Sequence, residues 1–315
     1  MELKKYERGD IIFLYILDCG NYKNHIKTHW VKFVPDFFLP RFKPSVLEEI
    51  IRDGDTVGKV VGINIKEFDY SNDNECQLFI DGIKKLKGPD DTNIYIEDSR
   101  KYPIEFLKKI NELTELKFSS GYNIRILNLP ILLRQVYKSL GREINCTDTL
   151  IISDERKIVL DIIKVLTEEI NFFTVYGIEP TLKDEFYEEV LESTGISIFQ
   201  PKKIDKVIKN YGTVINFSNK IDVDNFDFRN QSVIIDFSVE KPLKSMQKKK
   251  KNILYIQDII LESNLTSKWV SEYVNPELFV SINGIETTFS QIYTNNNFYF
   301  IDDYVRGFIK KKGII

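Results

Sequence analysis

From residue 147 onward the chain repeats one pattern: a short run of β-branched and aromatic residues, a stretch with helical spacing, then another short run. The runs at 149–153, 172–176, 196–199, 213–217, 232–237 and 253–256 read as strands. Each is nearly all apolar, where a strand with one wet face would alternate. They are therefore predicted to be buried on both sides of a mostly parallel sheet. The segments between them carry the helices such a sheet needs. Ile158, Ile162, Ile163, Val165 and Leu166 share one helical face, and Phe186, Val190 and Leu191 recur similarly after Pro180, which suits a first helical turn. This alternation directs the chain to an α/β fold with crossover helices.

A chain of 315 residues exceeds what one core usually serves, so two domains are predicted. An N-terminal α/β domain is expected over 1–120, with strands near 11–17, 57–65 and 93–97. A connecting helix follows over 121–146, where Leu129, Leu132, Leu133, Val136 and Leu140 form an apolar stripe. The sheet domain occupies 147–265. A helical segment over 266–315, with helices at 268–274 and 285–293, is expected to pack back toward the N-terminal domain.

Lys and Arg number 44 against 47 Asp and Glu, a formal net charge of −3, so no general basic excess draws the chain to nucleic acid. The first apolar run, at 11–17, is too short to span a bilayer and has no small-residue cleavage site after it. Cys19, Cys76 and Cys146 are odd in number and form no C-x-x-C pair, which speaks against both a disulfide framework and a zinc site. A cytoplasmic setting is predicted.

Several short strings fall in a suggestive order. Ser119-Ser120-Gly121-Tyr122 precedes the connecting helix, Leu150-Ile151-Ile152 opens the sheet domain, and Val233-Ile234-Ile235-Asp236 and Ile253-Leu254-Tyr255-Ile256 follow. Glu277-Leu278-Phe279-Val280-Ser281 comes last. This layout resembles the shikimate-dehydrogenase-like and amino-acid-dehydrogenase-like Rossmann proteins. It is similar in particular to the long-chain acyl-[acyl-carrier-protein] reductases, which carry a threonine-glycine motif, a connecting helix, a strand and a glycine-rich turn. The resemblance implies two domains, the second a doubly wound Rossmann-like sheet that holds NAD(P). It also implies a nucleophilic cysteine in a turn whose place is taken here by Ser281.

A dinucleotide fingerprint needs glycines after the first strand for a tight turn, for close approach of the pyrophosphate and for helix packing. Ser153, Arg156 and Val159 occupy those three places in this chain. Asp154 and Glu155 add negative charge where a helix N-terminus would favour phosphate, and Ser153 or Asp154 is expected to cap that helix. The cofactor and nucleophile motifs thus read as degenerate, and no cofactor is expected. A non-catalytic role follows, as a pseudoenzyme that binds a small molecule in an interdomain cleft or serves as a scaffold for a protein partner, with a homodimer open. The alternative is an NAD(P)-dependent oxidoreductase acting on an acyl thioester, an aldehyde or a shikimate- or amino-acid-like substrate. In that reading Arg156 or Lys157 meets phosphate and Glu179 accepts a ribose hydroxyl.

A hydrolytic Ser281 would need a base, and the sequence holds only His25 and His29, far away in the first domain. These two lie four apart and would share a helical face, but no third ligand is near, so surface or interface histidines are expected rather than a metal site. The aromatic stretch at 30–42 is expected to fill the first domain's core. Contact with an anionic membrane surface through Trp30, Phe37, Phe38 and Phe42 beside Arg41 and Lys43 is the alternative. Lys248 to Lys251 read as a solvated loop.

Overall fold

The computed structural model describes residues 12–29, 33–221, 226–249, 252–283 and 288–312. The chain divides into two compact units, Met1–Gly121 with Glu262–Glu286, and Tyr122–Leu261 with Thr287–Ile315. Trp30, Lys250, Lys251 and the start of the helix expected at 285–293 lie outside the described residues.

The first unit opens with β1 (Ile12–Ile16) and α1 (Cys19–His29), then a hairpin of β2 (Phe42–Arg52) and β3 (Asp55–Asn64). There follow α2 (Asp73–Leu86), β4 (Asp91–Ile96), α3 (Ile104–Thr114) and the short β5 (Lys117–Phe118). The sheet order is β2-β3-β1-β4-β5, with β3, β1, β4 and β5 parallel and β2 antiparallel at the edge. One face of the sheet packs Leu14, Ile16, Val61, Ile63, Ile94 and Ile96 against Phe79, Ile83, Phe106 and Ile110 of α2 and α3. Helix α2 is held at its start by the Asn72 side chain, which accepts from the backbone N–H of Asn74 and Glu75.

The second unit begins with α4 (Tyr122–Ser139), whose buried Leu129, Leu132, Leu133 and Val136 are the stripe read from the sequence. Next come β6 (Thr149–Ile152), α5 (Arg156–Leu166), β7 (Phe173–Tyr176), α6 (Lys183–Thr194) and β8 (Ile198–Phe199). The sheet is completed by β9 (Thr213–Asn216), β10 (Val233–Asp236) and, after α7 (Lys244–Lys249), β11 (Leu254–Ile256). All six strands pair in parallel in the order β11-β10-β9-β6-β7-β8. Every residue of β6, β9 and β10 is buried, as their continuous apolar character requires of strands covered on both faces. Leu150, Ile152, Val214, Ile234 and Tyr255 face a cluster with Ile204, Ile208 and Met246. On the other face the Tyr137 hydroxyl of α4 lies 2.6 Å from that of Thr213.

After β12 (Asp258–Glu262) the chain returns to the first unit, where Thr266 bonds Ile51 in both directions, N to O at 2.8 and 3.3 Å. A short strand β13 (Tyr273–Val274) and α8 (Pro276–Asn283) follow. The chain ends in the second unit with the hairpin β14 (Gln291–Thr294) and β15 (Asn297–Tyr299), then α9 (Ile301–Lys312). Residues 268–274 are therefore not the helix expected there, and 291–293 are strand, paired antiparallel to β12. Ser267 and Ser271 explain the first departure, because their hydroxyls accept from nearby backbone N–H groups and turn the chain.

The aromatic stretch also departs from expectation. Phe33, Phe37 and Phe38 are 92%, 73% and 68% exposed rather than buried, and Phe42 alone packs at the edge of the core. No helix among the described residues is long and apolar enough to cross a membrane.

Candidate functional site

In the second unit, the chain runs outward from β6 through β7 to β8, then returns to β9 on the other side of β6 and runs outward again. Counted along the chain, the strands stand in the order third, second, first, fourth, fifth, sixth, so the direction of winding reverses between β6 and β9. The crevice outside the carboxyl ends of two such strands is where open α/β sheets bind ligands.

The corner after β6 begins with Ser153, which is buried, donates its N–H to Tyr176 O at 3.0 Å and accepts the Glu155 N–H on its hydroxyl at 3.1 Å. Glu155 is the N-cap residue of α5 and its side chain makes no capping bond. The helix is thus not capped by its own side chains as expected. Asp154 is turned away to Lys220 in the loop after β9, at 2.9 Å. Burial works against its charge, but bonds from Lys220 and Ser218 outweigh that and hold its carboxyl below the usual range. Arg156 is drawn to α6, pairing with Glu185 at 2.9 Å and with Glu189, its guanidinium over the Phe186 ring at 5.7 Å. Val159 is fully buried and Lys157 is exposed.

Two of the three side chains in the glycine places are therefore packed inside the unit, and the third is clasped by a neighbouring helix. The close backbone approach is made from the second strand instead. Gly177, just past β7, holds φ +113°, and a Cβ there would lie 2.5 Å from the Ser153 carbonyl oxygen. Glu179, two residues on, is exposed.

A buried polar brace at the ends of β9, β10 and β11 escaped the sequence reading. Asp236 accepts from Asn216 Nδ2 at 2.8 Å, Tyr255 OH at 2.9 Å, Leu243 N at 3.2 Å and the Ser238 hydroxyl. Lys241 donates to the carbonyls of Asp236 and Gln257 at 2.6 and 2.7 Å. Burial and the facing Asp236 push the Tyr255 phenol far up, so it stays a donor. The polar ending of the string Val233-Ile234-Ile235-Asp236 was the available signal, since a carboxylate closing a buried strand needs partners.

The first unit has a reversal of its own, because β1 leads out to β3 on one side and the chain then returns to β4 on the other. At the carboxyl ends of β1 and β4 a mixed polar cluster assembles. Glu97 accepts from the Asp18 N–H at 2.9 Å and from Asn21 Nδ2 at 2.9 and 3.0 Å, and Lys101 bridges Asp98 at 3.0 Å and Asp18 at 3.1 Å. Those two carboxylates, Asp98 first, hold the Lys101 ammonium well above its ordinary value. Cys19 stands beside them half-buried, and desolvation followed by Asp18 pushes its thiol up, which disfavours a thiolate.

The other residues singled out in the sequence do not assemble a site. Ser281 lies in a helix, not a turn, and is 2% exposed, with its hydroxyl donated to Glu277 O at 2.9 Å. His25 and His29 do share α1, and His25 packs its ring edge against Trp269 at 5.4 Å. Among the described residues no group of three His, Cys, Asp or Glu side chains could hold a metal ion.

The strand order makes the second unit a Rossmann-type doubly wound domain. No family profile and no curated protein matches the chain. Solved structures resemble it at low identity. One is L-tryptophan dehydrogenase from Nostoc punctiforme, at 14% identity and TM-score 0.39, over 63% of this chain and 56% of that one. Another belongs to the dipicolinate synthase of Bacillus halodurans, at 14% and 0.40, over 79% and 89%. A third is shikimate 5-dehydrogenase from Listeria monocytogenes in complex with shikimate and NAD, at 9% and 0.33, over 81% and 89%. The chain thus spans little more than half the length of the tryptophan dehydrogenase, and likenesses at these scores carry nothing about activity. The expectation that no cofactor binds is corrected. The expectation rested on a helix capped by its own side chains, and the start of α5 carries no side-chain cap.

Proposed function

We propose that the protein is an NAD(P)-dependent oxidoreductase in which the second unit holds the dinucleotide at the carboxyl ends of β6 and β9. The observation that carries this reading is the winding reversal at a helix N-terminus left open by its own side chains. Such a terminus presents backbone N–H groups and the positive end of the helix dipole, a combination suited to a diphosphate. The residues present fit that group: the N–H groups of Arg156, Lys157 and Ile158 face no side-chain cap, and of the two carboxylates at that end Asp154 is paired with Lys220 while Glu155 is exposed to water. The exposed Lys157 supplies a cation and Glu179 an acceptor for a ribose hydroxyl. Bound there, the dinucleotide supplies or accepts a hydride. In the first unit, Lys101 and Asn21 offer donors and Asp18 an acceptor to a small carbonyl or hydroxyl substrate. A purely binding or scaffold role rested on a helix end capped by its own side chains, which α5 does not have.

The test is titration of the purified, nucleotide-stripped protein with NADH and NADPH, followed by fluorescence and calorimetry. Dissociation constants below about 100 µM, roughly 5.5 kcal/mol, are expected for one of the two. Lys157→Glu should weaken binding by about tenfold or more, as loss of a charge-assisted contact does. Arg156→Ala should leave it nearly unchanged, because the guanidinium is committed to α6. Absence of binding by either nucleotide at millimolar concentration would overturn the proposal.

A further inference from the structure

Two of the three exposed phenylalanines of the first unit sit on a braced turn, and the third, Phe33, lies four residues before Phe37 in the chain. Phe37 and Phe38 occupy a single 3-10 turn, Asp36–Phe38, entered by Pro35 and left through Leu39 and Pro40, and their ring centroids lie 3.8 Å apart. Leu39 is 5% exposed and roots the turn in the unit, while Lys66 donates to Phe37 O at 3.2 Å. Both Lys23 and Lys27 of α1 clasp the Asp36 carboxylate. The turn is thereby fixed at its base by four separate attachments, and three of the six residues from Phe33 to Phe38 are aromatic rings exposed by two-thirds or more. Rings that a core could have taken are instead presented to solvent on a braced turn. Large exposed apolar groups rimmed by polar ones mark interaction sites.

The charges bonded to this turn or next to it in the chain are Lys23, Lys27, Lys66, Arg41 and Lys43 against Asp36, with Arg41 paired to Glu75. Five cations face two anions, in a protein whose net charge is negative. Local positive charge around protruding aromatic rings complements a surface that is anionic outside and apolar a few ångströms below. That describes the interface of an anionic bilayer, where aromatic side chains settle at headgroup depth and nearby Lys and Arg meet lipid phosphates. A projecting turn of this size offers too little area for a stable protein interface, which needs on the order of 1,000 Å².

We infer that Phe33, Phe37 and Phe38 form a membrane-docking tip that inserts into the interface of an anionic lipid bilayer. One such tip gives reversible attachment, comparable to a single weak anchor, and its strength falls as salt screens the basic rim.

The experiment is co-sedimentation of the full chain with vesicles of phosphatidylcholine alone and with about one-third phosphatidylserine. Binding to the anionic vesicles, reduced at high salt and weak on neutral vesicles, is expected. The double variant Phe37→Ser with Phe38→Ser should lower the partition coefficient by about tenfold or more, and Lys43→Glu should lower it less. Circular dichroism and a thermal melt establish that each variant is folded, and Leu39, the buried root of the turn, is left intact. The inference fails if the wild-type protein stays in the supernatant with anionic vesicles at low salt, or if the folded double variant binds as well as the wild type. It also fails if the same substitutions abolish a concentration-dependent dimer while vesicle binding is absent, since the tip would then serve a second copy.

Discussion

Replacing Gly177 by alanine tests the geometry of the corner directly. The residue holds φ +113°, and an added Cβ would meet the Ser153 carbonyl oxygen at 2.5 Å and carbon at 2.8 Å. Both obstacles are backbone, so no rotamer change relieves them. A non-glycine residue held in such a region costs about 1–3 kcal/mol, and prising β6 from β7 to admit the methyl group adds a penalty of the overpacking kind, about 1–3 kcal/mol. The expected loss is roughly 2–6 kcal/mol in all. Gly195 provides the control, since it lies in the same unit at the end of α6 with φ +70° and nothing within 4 Å of its added Cβ. Alanine there should cost about 1–2 kcal/mol from backbone conformation alone. Urea unfolding followed by circular dichroism reads both, as a drop in midpoint at unchanged slope. If Gly177→Ala proves no more destabilising than Gly195→Ala, the close approach between the ends of β6 and β7 is not a constraint on the fold, and the reasoning about the corner fails with it.

Two other perturbations address buried groups. Arg125 and Asp258 form a bidentate pair at 2.8 and 2.7 Å, with Arg125 only 4% exposed, so Asp258→Asn should cost about 3–5 kcal/mol in urea unfolding by leaving a buried cation uncompensated. Burial raises the Asp258 carboxyl and the Arg125 guanidinium outweighs it, placing the folded value below the usual range. Its stabilisation is then present above the unfolded carboxylate value of about 3.9 and is lost as pH falls through the lower folded value, so thermal melts of Asp258→Asn should show a flatter acid limb than the wild type. Ser281→Ala should change stability by no more than about 1 kcal/mol and leave any NAD(P)-linked turnover intact, because its hydroxyl is spent on a helix carbonyl. Abolished turnover in a folded Ser281→Ala variant would restore Ser281 as a nucleophile.

The second sheet was legible because burial on both faces leaves a strand nothing but apolar residues, and β6, β9 and β10 carry that mark without interruption. Strand β2 was not, because it is an edge strand whose Lys43, Pro44, Glu48 and Glu49 break the alternation, and whose pairing with β3 shifts register three times. Helical spacing identified α5 but not where its first side chain would go. The partners of Arg156 are Glu185 and Glu189, on a helix that only the fold brings near. The same limit applied to the Phe-rich stretch. Composition says that rings want burial, yet Pro35, Pro40 and the Asp36 clasp decide that Phe37 and Phe38 stay outside. The polar cluster around Asp18 and Lys101 is equally a product of topology, since the two residues are joined only by the parallel pairing of β1 with β4.

The alternation of the chain between units bears on the order in which the protein can be made. Thr266 pairs with Ile51 although the segment Tyr122–Leu261 of the second unit lies between them in the chain, and β14 joins β12 only after α8 has been laid down in the first. A ribosome that has released residues 12–121 has released all five strands of the first sheet, but not the segment that bridges its edge at Ile51 or α8, so the first unit is completed only after most of the second has emerged. Both units should reach full protection against proteolysis only late in synthesis and close to one another in time, and the exposed edge of β2 has to be kept from other chains until Thr266 arrives.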